Sequence, residues 1–230
     1  MKIIDAHSHV DCITHKIQTD VVGTVVCTTV ESQWKKLIDI IDNDNCVYGA
    51  FGVHPWFIDS WNDKCDARLE YVLKMNQNFM VGEIGLDKYK PNMNKQIEFF
   101  RNQFDIAIRL QRTVFIHCVG AWDKILHILK MYKKSVLPKI VFHAFNGGID
   151  VLEDLLKNYG DCIYFSFGKN VLYDRNCRIY KIPLDKILVE SDGKYDVNLV
   201  DVVNKIAEIK DNPNMANIIY DNTQRVLQNG

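Results

Sequence analysis

The sequence predicts a single (β/α)8 barrel of the TIM type extending over residues 1–230. Three observations point there. Eight short runs rich in Val, Ile and Phe recur along the chain, amphipathic helical patterns separate them, and polar residues gather where the runs end. The runs are Lys2–His7, Gly23–Thr28, Val47–Val53, Phe79–Ile84, Thr113–His117, Lys139–His143, Cys162–Phe167 and Lys186–Glu190. Between them apolar residues return at i, i+3, i+4 and i+7, as in Trp34, Leu37, Ile38 and Ile41, or Leu152, Leu155, Leu156 and Tyr159. The same spacing appears in Ile125, Ile128, Leu129 and Tyr132, and after the eighth run in Leu199, Val202, Val203 and Ile206. Strand and helix alternating throughout imply a parallel sheet with helices outside, and eight units imply closure. An open doubly wound sheet would want a glycine-rich phosphate turn after the first strand. Here Ser8-His9-Val10-Asp11-Cys12 follows His7, without a glycine.

Composition narrows the function classes. The 230 residues are 47% hydrophobic and 25% charged, enough core for one such barrel and too few residues for two. A formal net charge of −1 provides no overall basic field for nucleic acid or an anionic membrane, so a polyanion must be held by a local patch. No stretch approaches the ~18 uncharged apolar residues of a membrane span. The seven cysteines are scattered, with no CxxC pair, which argues against a disulfide framework or a zinc ribbon. The first residues lack the basic region and apolar run of a secretory signal, so the expected location is cytoplasmic.

Barrel enzymes carry their chemistry at the C-terminal strand ends. The first strand ends in His7-Ser8-His9, whose two imidazoles share a face at i and i+2, with Asp5 expected beneath them. The third run ends in Val53-His54-Pro55-Trp56 and the fourth in Gly82-Glu83-Ile84-Gly85-Leu86-Asp87. His117 ends the fifth, His143 the sixth, and Glu190-Ser191-Asp192 the eighth. Imidazoles and carboxylates without thiolates suit Zn, Mn or Fe, with Mg possible where water completes the shell. Six ligands, His7, His9, Glu83, His117, His143 and Asp192, exceed what one catalytic ion takes from protein while keeping a position open. Two divalent ions bridged by Glu83 use the set naturally; such pairs stand ~3.5–4 Å apart and clamp attacking and leaving oxygens. Asp192 can also accept the proton of the attacking water. The remaining candidates read more plainly: His127 as part of its helix, His15 as a loop residue at the pocket rim, and Cys118 as packing, since it shares no face with His117.

These motifs, in order, resemble the TatD family of metal-dependent deoxyribonucleases. The resemblance runs through Asp5-Ala6-His7-Ser8-His9, Gly52-Val53-His54-Pro55-Trp56, Gly82-Glu83-Ile84-Gly85-Leu86-Asp87 and Phe115-Ile116-His117-Cys118. It continues through His143-Ala144-Phe145-Asn146-Gly147 and Ile182-Pro183-Leu184-Asp185-Lys186-Ile187-Leu188-Val189-Glu190-Ser191-Asp192. It implies a two-metal phosphodiesterase, typically Mg-dependent, acting on DNA and often from its 3′ end. It also implies that His54 lies near substrate phosphate. Departures concern recognition. Val119 stands where the family usually has an Arg, the natural bidentate phosphate clamp. Ser191 replaces the usual Thr, and Gly193-Lys194-Tyr195 follow Asp192 without the usual Pro.

The expected function is therefore metal-dependent hydrolysis of DNA, of single strands or 3′ ends, with Mg, Mn or Zn as the ions. Catalytic work falls to Asp192 and Glu83. Substrate contacts fall to His54, Trp56, Lys88 and Lys194, with Lys169 a further local cation and Trp56 a stacking surface. No membrane and no obligate protein partner is expected. The alternatives are a small-metabolite amide hydrolase, deaminase or phosphoester hydrolase on the same barrel, and a non-catalytic metal-binding protein. The Glu83 bridge leans toward the phosphodiesterase; the missing Arg leans toward a smaller phosphoester.

Overall fold

A computed structural model describes residues 1–62, 64–173 and 178–228. Eight parallel strands form one sheet in the order β1 to β8. They are β1 (Ile3–His9), β2 (Val21–Cys27), β3 (Val47–Phe51), β4 (Met80–Asp87), β5 (Val114–Val119), β6 (Ile140–Phe142), β7 (Ile163–Phe167) and β8 (Ile187–Val189). Helices α1 (Trp34–Asn43), α2 (Cys65–Met75), α3 (Met93–Leu110), α4 (Trp122–Leu129) and α5 (Ile149–Tyr159) link β2 through β7. Helices α6 (Leu199–Lys210) and α7 (Met215–Leu227) follow β8. All eight strands fall on the expected runs.

Two expectations need correction. Alternation is not complete: β1 and β2 are joined by a loop with a single 3-10 turn, Thr14–Lys16, and β7 and β8 by short 3-10 turns among the described residues. In the loop after β1 Thr14 donates to the Asp5 carboxylate and Ser8 to the Cys12 carbonyl. Strict alternation along β1 also fails, since its pairing with β2 shifts register between Asp5 and Ser8. Asp5 therefore joins Thr14 and Ser191 and does not line up beneath the two histidines.

The strands separate two apolar layers. In β5, Val114, Ile116 and Cys118 pack in the large cluster under the helices, while Phe115 joins Ala6, Val25, Cys27, Ala50, Met80, Val141 and Leu188 in a second cluster inside the barrel. The inward series of β5 is thus Phe115, His117 and Val119, apolar at the base and polar at the rim. Burying the aliphatic and aromatic side chains stabilises each strand by about 1.5–3 kcal/mol per large residue. That packed base fixes where the rim residues stand.

Barrel closure differs from the other seven joints. Among the described residues no ladder pairs β8 with β1. The seam is bridged where the strands end: the Asp192 N–H donates to the His7 carbonyl at 3.0 Å, and the Ser191 N–H donates to the Asp5 carboxylate at 2.9 Å.

Candidate metal centre

Glu83 is the hub of the rim. Its Oε1 lies 3.0 Å from His54 Nε2, 2.9 Å from His117 Nδ1 and 2.8 Å from His143 Nε2. Its Oε2 lies 3.2 Å from His7 Nε2 and 3.8 Å from His9 Nε2. Asp192 Oδ1 approaches the same two imidazoles from β8's end, at 3.5 Å from His9 Nε2 and 3.9 Å from His7 Nε2. Among the described residues four sets of side chains can bring ligand atoms within 4.8 Å of one another: His7, Glu83 and His143; His7, His9 and Asp192; His54, Glu83 and His117 at the rim; and His15, Asp44 and Cys46 away from it. The six sequence candidates thus converge on one spot, and His54 joins them.

Local backbone makes the convergence possible. Gly85 stands at φ +151°, and a Cβ there would lie 1.9 Å from the His117 carbonyl oxygen. Only glycine lets β4 and β5 meet at the level where Glu83 and His117 face each other. Asp192 and Gly193 adopt left-handed φ values of 54° and 65°, turning the chain sharply after β8 so that Asp192 reaches across to His9.

Burial and charge set the protonation pattern. Desolvation opposes ionisation of Glu83, but His143, His54 and His7 around it hold its carboxyl well below the ordinary range. Burial depresses His143 as well, yet Glu83 and Glu190 outweigh it and push the imidazole well above its usual value. For His7 and His54 desolvation wins and both are lowered, favouring the neutral ring that ligates a metal. His9 is raised despite burial by its hydrogen bond to Asp192, and Asp192 is lowered despite burial by His9, His7 and His143.

The donor set fits divalent metal ions. Nδ1 of the fully buried His7 makes no hydrogen bond among the described residues, while His7 Nε2 and His117 Nε2 face carboxylate oxygens at 3.2 and 3.6 Å without a well-formed hydrogen bond. Buried imidazole nitrogens with no partner carry a cost unless something else takes up their lone pairs. Oxygen and nitrogen donors without a thiolate match Mg, Mn or Zn. Cys118, next to His117, stays a thiol because burial pushes it up to about 12, and it packs in the outer core.

Comparison with known proteins identifies the lineage. The profile of the TatD related DNase family matches residues 4–228. The chain belongs to that family. This TatD-family barrel is 30% identical over 177 residues to the 3'-5' RNA nuclease TATDN2 of Homo sapiens, covering 73% of this chain but 22% of that protein. The barrel is 24% identical over 193 residues to the 3'-5' ssDNA/RNA exonuclease TatD of Citrobacter koseri, covering 80% of this chain and 72% of that one. Among solved structures, YJJV, a TatD homolog of Escherichia coli K12, superposes with a TM-score of 0.87 at 23% identity over 97% of both chains. In class, this TatD-family chain is a metal-dependent hydrolase.

The flanking residues divide. Trp56 is 51% exposed, stacks edge-on to His54 at 5.2 Å between centroids, and donates from Nε1 to Asp87 Oδ2 at 2.6 Å. Lys88 is exposed beside Gly120. Lys194 places its ammonium 2.5 Å from Asp192 Oδ2. Lys169 likewise pairs with Asp196. His127 is exposed on α4, and His15 is held by Thr24 and Asp44 in the separate His15–Asp44–Cys46 set; neither belongs to the three sets at the rim. Three residues near the centre had no assigned role in the sequence. Asp87 anchors Trp56 and lies 3.6 Å from His117 Nε2, Lys90 covers the Trp56 ring at 4.2 Å, and buried Glu190 accepts from the Ala144 N–H at 2.8 Å. Asp87 was visible as a polar break at a strand end; Lys90 was one lysine among many.

Proposed function

We propose that the chain hydrolyses phosphodiester bonds in single-stranded DNA, acting from a free 3′ end with two divalent metal ions. The reading rests above all on Glu83, whose two carboxylate oxygens face different imidazole sets. His7, His9 and Asp192 would hold metal on the Oε2 side of that carboxylate, and His54, His117 and His143 on the Oε1 side. Bound there, Mg, Mn or Zn supplies Lewis acidity toward phosphoryl oxygens and lowers the pKa of coordinated water toward ~7.

The chain's own residues do the rest. Asp192 is ionised at neutral pH and accepts the proton of the attacking water on one oxygen while Lys194 holds the other. Trp56 supplies an exposed ring for base stacking, fixed by Asp87. The names carried by the human and Citrobacter koseri relatives, an RNA nuclease and an ssDNA/RNA exonuclease, support a nucleic-acid substrate. The six described cysteines are free, which fits a reducing cytoplasm, and no described helix is long and apolar enough to cross a membrane.

The test is a screen of metal-loaded protein against single-stranded DNA, duplex DNA, RNA and small amides. Release of nucleotides from single-stranded DNA, abolished by chelator and restored by Mg or Mn, is the expected result. Turnover of amides without cleavage of any nucleic acid overturns the proposal.

A further inference from the structure

A cavity of about 250 Å³ opens beside Asp192, between the ends of β6, β7 and β8. Its walls differ from the metal centre. Phe145 and Phe167, both largely buried, contribute aromatic surface; Asn170 offers an amide; Lys169 and Arg178 bring positive charge, and Asp192 connects it to the rim. Acids offset part of that charge, since Lys169 pairs with Asp196 and Lys194 with Asp192. Such a lining suits a group that is largely neutral, flat and hydrogen-bonding better than a second phosphate.

The opposite flank has another character. There Trp56 is 51% exposed, Phe57 43% and Tyr89 80%, and Lys90 lies over the Trp56 ring. That surface is aromatic, cationic and open, which is how single strands are held without sequence preference. One side of the centre is thus an open aromatic surface and the other a recessed cavity. At about 250 Å³ the pocket falls just below the ~300–1,000 Å³ typical of ligand sites. It has room for one nucleoside and not for a continuing strand.

We propose that this cavity receives the terminal nucleoside of the strand, with the scissile phosphate at the metal centre and the remaining chain over Trp56 and Tyr89. The assignment rests on the nuclease reading given above. Asn170 then meets the base edge, Phe145 and Phe167 line the base or sugar, and the back wall limits cleavage to one nucleotide at a time.

The experiment measures binding of 2′-deoxyadenosine 5′-monophosphate and of inorganic phosphate to the Mn-loaded protein by calorimetry, alongside release of nucleotides from a labelled single-stranded oligonucleotide. Wild-type protein should bind the nucleotide at least tenfold more tightly than phosphate, equivalent to about 1.4 kcal/mol. Asn170→Trp, filling the pocket from an exposed position, should bring the two affinities together and slow the oligonucleotide tenfold or more. Phosphate affinity and melting temperature should stay at wild-type values; Asn170→Ala should fall between the two proteins. Oligonucleotide hydrolysis with no preference for the nucleotide, or a preference that Asn170→Trp leaves intact, overturns the cavity assignment and leaves the nuclease reading standing. A preference lost in Asn170→Trp without hydrolysis of any nucleic acid does the reverse: it supports a nucleoside pocket and removes the nuclease reading.

Discussion

Replacing Glu83 with Gln keeps the side chain's size and removes its charge from the point where five imidazoles converge. The carboxylate meets His54, His117 and His143 at 2.8–3.0 Å while only 2% exposed. Breaking a buried ionic contact by removing one partner costs about 3–5 kcal/mol. His143 can relieve part of this by losing its proton, and Glu190 remains 3.5 Å away, so we take the lower end, ~3 kcal/mol. For a chain of this size each kcal/mol moves Tm by about 2–4 °C, which predicts a fall of roughly 6–12 °C for metal-free Glu83→Gln. With metal supplied, the variant loses the carboxylate that both ligand groups share. Bound metal should drop by at least one equivalent per chain, and kcat/KM on single-stranded DNA by a thousandfold or more, about 4 kcal/mol of transition-state stabilisation. Elemental analysis after dialysis reads the stoichiometry, and scanning calorimetry with and without chelator reads the stability. Wild-type metal content in a folded Glu83→Gln protein would refute the bridging role.

Further predictions follow from neighbouring contacts. Asp192→Asn should fold and retain partial metal binding while kcat falls by roughly two to four orders of magnitude; a raised KM at wild-type kcat would make Asp192 a binding residue only. Lys194→Ala removes one of the groups holding Asp192 below the carboxylate range, so the acid limb of the pH–rate profile, which needs Asp192 ionised, should move to higher pH. A profile superimposable on wild type would uncouple that pair from catalysis. Val119→Arg restores a guanidinium on the inward series after His117 and should raise kcat/KM on single-stranded DNA by about tenfold to a hundredfold, the gain shrinking with salt. Loss of cleavage in this variant would count against a phosphate passing that strand end. Gly85→Ala forces a Cβ against the His117 carbonyl and should cost more than ~4 kcal/mol or abolish soluble expression; a Tm near wild type would contradict the close approach of β4 and β5.

Much of this was legible in the sequence because hydrophobic runs and polar interruptions have separate causes. Apolar side chains such as Val114 and Ile116 mark a strand that must be buried, while His117 breaks the run because it serves the rim. The ends of β1 and β4 were legible as polar motifs and not as apolar runs. Both strands continue past the apolar run, to His9 and Asp87, because backbone pairing with β2 and β5 persists where the side chains turn polar. Register shifts near Asp5 and Glu83 leave no hydrophobic signature at all. The approach of His54 to Glu83 also depends on where β3's end stands relative to β4, a tertiary relation that spacing along the chain does not encode. The same holds for Lys194, whose pairing with Asp192 follows from the left-handed turn between them.

The joint between β1 and β8 lacks the repeated backbone bonds of the other strand pairs, and it lies directly under His7 and His9 on one lip and Asp192 on the other. An ion gripped by those three side chains would therefore act as a clasp across the barrel's weakest joint. Its binding free energy would count toward keeping the cylinder shut, so that part of the fold's resistance to opening would be set by metal supply. Chelation should then speed amide hydrogen exchange first along β1 and the Glu190–Lys194 turn, leaving β4 and β5 protected. In this family member the catalytic ions and the integrity of the scaffold would be maintained by one and the same equilibrium.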